Sequence, residues 1–176
     1  MIKITTFDTP LGEMTAAATR EGICFLGFSG TRELAHALHS LSEHYGMPSR
    51  KGGNWHTWTL KRQLKEYFRG RRKDFTVRLI TQGTEFQQSV WDSLKKIPYG
   101  STITYLEQAK VLNNPDAFRA VANADGHNPV AIVIPCHRVI GSDGSLTGYA
   151  GGLEKKQWLI DHERKHSGKP VDGTLF

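Results

Sequence analysis

No apolar run in this 176-residue chain approaches the roughly 20 residues that cross a bilayer, so a helical membrane span is excluded. Cysteine is nearly absent, with only Cys24 and Cys136 in the chain. A disulfide is possible on number alone. The stretch Met1 to Leu11 lacks a secretory leader's apolar segment, so two free thiols in a cytoplasmic protein are expected. Apart from the neighbours Cys136 and His137, neither cysteine has a second Cys or His at short metal-ligand spacing, and no structural metal site is expected. With 18 Gly and 7 Pro the chain is too poor in both for low-complexity disorder, and no repeat stands out. Hydrophobic residues make up 38%, enough for a core.

Charge is present but unevenly placed. The net +6 permits a nucleic-acid partner without establishing one. Residues 1–83 hold 13 Lys and Arg against 7 Asp and Glu, whereas residues 84–176 hold 10 of each. Most of the excess is the run Lys61, Arg62, Lys65, Arg69, Arg71, Arg72 and Lys73. Its plain reading is a solvated helix face and the loop after it.

The texture of the chain changes near Thr81-Gln82-Gly83. Before it, Ile2 to Phe7, Glu13 to Thr19 and Ile23 to Phe28 read as strands of a meander. Thr31 caps a predicted helix running through Leu34, Leu38 and Leu41 to Gly46. Met47 to Asn54 reads as a loop, Trp55 to Phe68 as a second helix, and Phe75 to Ile80 as a short strand. After the boundary the pattern is helical. Phe86, Val90, Trp91 and Leu94 form an apolar stripe that Pro98-Tyr99-Gly100 stops. Thr104 caps a short helix through Leu106, Ala109 and Leu112, and Asn114-Pro115 starts another with Phe118, Val121 and Ala122. Two such helices have the size of a helix-turn-helix, although an ordinary αα-hairpin fits the pattern too. A turn at Asn128-Pro129, an apolar stretch from Val130 to Ile134, a Gly-rich loop at 141–144 and a closing helix from Leu153 to Lys165 complete the chain.

The chemistry concentrates at Pro135-Cys136-His137-Arg138. A thiol after an apolar run is semi-buried, and burial alone makes a cysteine inert. Here His137 offers a base and Arg138 a cation. In an extended segment neighbours point to opposite faces, so His137 needs a bend or a bridging water to reach the thiol. It also needs a carboxylate to hold its ring, for which Asp161 and Glu163 on the last helix are the candidates.

The heptad Ile134-Pro135-Cys136-His137-Arg138-Val139-Ile140 resembles the acceptor motif of the O6-alkylguanine-DNA alkyltransferases. Also in family order and spacing are Gly83-Thr84-Glu85-Phe86-Gln87, Val90-Trp91, Ile97-Pro98-Tyr99-Gly100, Thr104-Tyr105, Arg119-Ala120-Val121, Asn128-Pro129 and Gly148-Tyr149-Ala150-Gly151-Gly152. The specific match covers about residues 83–165. Residues 1–82 match in length and strand-helix pattern.

This resemblance implies an α+β fold. Residues 1–82 would form a small antiparallel-sheet, ribonuclease-H-like support domain with helices. Residues 83–176 would form a mainly helical domain with a winged-helix-like helix-turn-helix. It implies single-turnover DNA repair without metal or cofactor, in which an alkyl group passes from O6-alkylguanine to Cys136, with O4-alkylthymine a second candidate substrate. Cys136 would be the acceptor, His137 its base through a water, Glu163 the residue orienting the imidazole, and Asn128 the brace of the preceding turn. Tyr105 and Arg119 would serve base flipping, with Thr104, Ala120 and Arg138 also at the DNA. Val139, Tyr149 and Ala150 would line the base pocket. The expected partner is double-stranded DNA, met through its minor groove by a monomer. A non-catalytic binder of alkylated DNA and a thiol hydrolase are the rival classes.

Overall fold

Strand β1 (Ile2–Thr9) pairs antiparallel with β2 (Gly12–Ala18), which pairs antiparallel with β3 (Ile23–Phe28). Met14 to Ala18 are buried without interruption, and the small Ala16, Ala17 and Ala18 make that possible. Helix α1 (Arg32–Tyr45) is capped as expected, the Thr31 hydroxyl accepting from Leu34 N–H and Gly46 closing it in the left-handed region. Its Leu41 joins Ile2, Ala17 and Cys24 in one apolar cluster. Helix α2 (Trp55–Phe68) starts from a reciprocal capping box between Asn54 and Thr57, and buries Leu60, Leu64 and Tyr67.

The computed structural model describes residues 1–168. The last eight residues of the expected second domain, 169–176, lie outside them. Two compact units result, one formed by Met1–Thr84 with Asn128–Val133, the other by Glu85–His127 with the chain from Ile134 onward. The return of Asn128–Val133 to the first unit has no signature in the pattern. There Leu26 N–H donates to Pro129 O, and Ala131 N–H to Leu26 O, both at 2.9 Å.

Two elements of the first unit differ from the pattern. The segment expected as a loop contains β4 (Ser49–Lys51), which adds parallel to β1 and gives the sheet order β3-β2-β1-β4. Its residues Ser49, Arg50 and Lys51 are all exposed, so no apolar alternation marks it. Conversely, among the described residues Phe75 to Ile80 makes a single bridge, Leu79 to Ile23. Gln63 Oε1 accepts from the Thr76 backbone N–H at 3.0 Å and its Nε2 donates to Thr76 Oγ1 at 2.6 Å, diverting that segment from a ladder.

The second unit is helical. It contains α3 (Glu85–Lys95), β5 (Ile103–Thr104), α4 (Tyr105–Val111), α5 (Phe118–Gly126), β6 (Val139–Ile140) and α6 (Leu153–His166). A 3₁₀ turn at Pro115–Ala117 joins α4 to α5, completing the helix-turn-helix pair. Val90, Trp91 and Leu94 of α3 are buried, and the Trp91 indole N–H donates to Ala124 O of α5 at 2.9 Å. Phe86, first of the expected stripe, stays exposed.

Candidate active site

Cys136 does not sit in an extended strand. It opens a 3₁₀ turn, Cys136–Arg138, closed by the Arg138 N–H donating to Pro135 O at 3.0 Å. The approach is strained, since buried, β-branched Ile132 has φ +71°. Beyond the turn, β6 pairs in parallel with β5, setting Val139 against Ile103 and Ile140 against Thr104. This pairing fastens the cysteine segment to the cap of α4.

The two thiols differ in kind. Cys24 is fully buried, its Sγ–H donates to Ala17 O at 3.3 Å, and burial pushes its pKa up to about 12. Such a thiol is inert. Cys136 is half-buried.

Behind Cys136, the turn sends His137 and Arg138 to one carboxylate. Glu163 Oε1 accepts from His137 Nε2 at 2.7 Å and from Arg138 Nη2 at 2.9 Å; its Oε2 accepts from Arg138 Nε at 2.8 Å. The Gly100 N–H adds a fourth bond to Oε2 at 3.3 Å. Gly100 has φ +80°, and a Cβ there would lie 2.5 Å from Ser167 Cβ, so both backbone and space demand glycine. Burial would raise the Glu163 pKa, but the hydrogen bonds from His137 and Arg138, with the charge of the Arg138 guanidinium, outweigh it and hold the carboxyl well below its usual range. For His137 burial dominates, opposed by Glu163, and depresses the pKa, which favours the neutral ring. With Nε2–H committed to Glu163, Nδ1 carries the lone pair, and it is buried with no hydrogen-bond partner among the described residues. Of the two carboxylate candidates, Asp161 is at the surface, bonded to Gln157 at 2.8 Å.

Arg138, expected at the DNA, is turned inward. It is 7% exposed, and its Nη1 donates to Ile97 O at 2.7 Å while Nε and Nη2 hold Glu163. All three of its guanidinium nitrogens are thus engaged inside the protein.

A second polar group flanks the cysteine. The Tyr105 hydroxyl donates to Thr147 O at 3.1 Å, and Lys156 Nζ donates to the same carbonyl at 2.8 Å. Burial raises the Tyr105 pKa, which keeps the phenol protonated. Lys156 was not anticipated. It is fully buried on α6, and burial lowers its pKa while Cys136 and Asp125 act to raise it. Its signal was its spacing, because Lys156, Leu159, Ile160 and Glu163 share one helical stripe. Nor was a buried trio anticipated, in which Gln108 Nε2 donates to Ser93 Oγ at 3.1 Å and to Asp125 Oδ1 at 3.0 Å.

The other expected residues are placed as follows. Arg119 and Ala120 are exposed on the first turn of α5. The Thr104 hydroxyl is engaged in capping, accepting from Glu107 N–H at 3.1 Å. Val139 is fully buried, Tyr149 half-buried with its hydroxyl inside, and Ala150 exposed. Asn128, in the first unit, accepts Val130 N–H at 3.0 Å through Oδ1, which fixes its turn.

Two family models divide the chain between them. Residues 2–81 match the ribonuclease-like domain of 6-O-methylguanine DNA methyltransferase, and residues 85–165 match its DNA binding domain. The chain belongs to the 6-O-methylguanine DNA methyltransferase family. Among its relatives is the methylated-DNA–protein-cysteine methyltransferase of Mycolicibacterium paratuberculosis, 42% identical over 100% of this chain and 99% of that protein. That of Methanosarcina acetivorans is 43% identical over 89% of this chain and 95% of its own. The crystal structure of Mycobacterium tuberculosis O6-methylguanine methyltransferase superposes with TM-score 0.81 at 39% identity, covering 100% of this chain and 99% of that one. The M. tuberculosis OGT structure in complex with DNA superposes with TM-score 0.80 at 38% identity, covering 93% and 94%. Family membership thus spans both units. Among the described residues, no helix is long and apolar enough to cross a membrane.

Proposed function

We propose that this protein repairs O6-methylguanine in double-stranded DNA by taking the methyl group onto Cys136 Sγ, once per protein molecule. One observation carries the assignment of residues. An imidazole fixed by a buried carboxylate, its Nδ1 bare among the described residues, stands next in sequence to a half-buried thiol. His137 takes the thiol proton at Nδ1 through a bridging water, and Glu163 stabilises the imidazolium that forms. Arg138 keeps Glu163 ionised and in place, and we assign it that role instead of a DNA contact. The buried ammonium of Lys156 and a thiolate at Cys136 stabilise one another.

The thiolate attacks the methyl carbon. An S–C bond forms as the C–O6 bond breaks, and the Tyr105 hydroxyl, which first releases Thr147 O, hydrogen-bonds to the leaving guanine. The guanine's charge is finally neutralised by the proton taken from the thiol, returned through water. The product thioether has no bond that water cleaves readily, so the protein stays alkylated. No step calls for a metal or cofactor.

The thiol can reach O6 only if the nucleotide leaves the stack, at a cost of a few kcal/mol. We assign α5 to the minor groove, where readout is degenerate and damage in any sequence can be met. Arg119 on its exposed first turn fills the vacated space, beside Ala120 and the Thr104 cap. Val139, Tyr149 and Ala150 border the extruded base. Asn128 braces the turn that leads to the acceptor segment. The protein acts as a monomer, with residues 1–82 as support and residues from 83 on carrying DNA binding and acceptance.

Cys136→Ala tests the reading. The variant should bind duplex DNA containing O6-methylguanine with unchanged affinity and transfer nothing. Multiple turnovers by the parent protein would instead favour a thiol hydrolase, and unchanged repair by the variant would remove Cys136 from the chemistry.

A further inference from the structure

The largest exposed aromatic groups lie outside the site just described. Trp55 and Trp58 on α2 are 72% and 64% exposed, unusual for a side chain that is highly buried on average. At 3.6 residues per turn, Trp55, Trp58, Lys61, Arg62, Lys65 and Arg69 fall on one face of α2, opposite the buried Leu60, Leu64 and Tyr67. All six are exposed, and among the described residues none of the four cations is in an ion pair. The acid on α2, Glu66, is taken by Arg72 at 2.6 Å. The Trp58 ring lies over Gly53, where a Cβ would come within 2.6 Å of its Nε1.

We propose that this face of α2 binds single-stranded DNA, the two indoles stacking on unpaired bases while Lys61, Arg62, Lys65 and Arg69 track the phosphates. The choice of DNA rests on the functional reading above. The choice of a single strand rests on the indoles, because a duplex hides the base faces that an aromatic ring stacks on. A membrane fits less well. The apolar side of α2 is buried in its own unit, and the cations lie among the indoles, so no continuous apolar face is free to enter lipid. The assignment also answers the uneven charge, since the helix-turn-helix is nearly neutral while the cations concentrate here.

The test is fluorescence anisotropy of a labelled oligothymidylate with the full chain, beside methyl transfer from a short duplex. Four phosphate contacts predict a slope of log K against log salt of about −3. Trp55→Ala and Trp58→Ala should each weaken binding about tenfold. Lys61→Ser, Arg62→Ser and Lys65→Ser together should flatten the slope to about −1. None of these changes should alter transfer from the short duplex, and Cys136→Ala should bind the oligothymidylate normally, so loss of repair and loss of this contact are separable. No saturable binding, binding indifferent to both tryptophans, or displacement of the oligothymidylate by phosphatidylserine vesicles would overturn the proposal.

Discussion

Asp125 is a carboxyl in a place built for a neutral group. It is 4% exposed, its Oδ1 accepts from Gln108, and among the described residues neither its Oδ2 nor Gln108 Oε1 has a partner. Burial pushes its pKa from 3.8 up to about 7, against the Gln108 hydrogen bond and the charge of Lys156. Between these values the folded state holds a proton that the unfolded state has lost. Stability therefore falls as pH rises from about 4 to 7, by about 1.4 kcal/mol per pH unit, and is flat beyond. The accumulated loss at pH 8 is about 4 kcal/mol, a large part of a typical folding free energy. Asp125→Asn removes it, because the amide never ionises and presents an N–H in place of Oδ2. Urea denaturation at pH 5 and pH 8 should show the variant's advantage over the parent growing by about 2.7 kcal/mol. Parallel curves at the two pH values would refute the reasoning.

Other changes have definite outcomes. Glu163→Gln leaves Arg138 buried without its counter-charge and should cost about 3–5 kcal/mol in denaturant unfolding. Because the Glu163 pKa is depressed in the folded state, the parent's share of this stability is present above the unfolded carboxylate pKa. It is lost as pH falls toward the folded one, so the gap between parent and variant should narrow in acid. An equal gap at pH 3 and pH 7 would count against the triad. Ala150→Gly opens space on an exposed turn beside Tyr149. It should raise the transfer rate from a benzyl adduct relative to a methyl adduct, and an unchanged rate ratio would remove Ala150 from the pocket wall.

Much of this was legible because local chemistry declares itself. Thr31, Asn54 and Thr104 lie at helix starts, with the Asn54 and Thr104 boxes closing reciprocally. The family motif set Cys136, His137 and Glu163 in one frame. What the pattern missed depended on contacts between distant segments. The strand at Ser49–Lys51 is polar and exposed, so only its backbone pairing with β1 reveals it. Arg138 reads as a surface cation until the 3₁₀ turn points it at Glu163. Gln108 and Asp125 read as solvated helix residues until α4 and α5 bury them against Ser93. Spacing alone could have found Lys156, but a lysine in an apolar stripe usually reaches to solvent.

The central claim is that Cys136 Sγ becomes the methyl carrier. Intact-mass measurement of the protein after incubation with DNA containing O6-methylguanine, followed by peptide mapping, tests it most directly. The account predicts one added methyl group per protein molecule, on the peptide holding Cys136 and never on that holding Cys24. An unmodified protein under conditions where the DNA is bound, or a methyl group elsewhere, would contradict it.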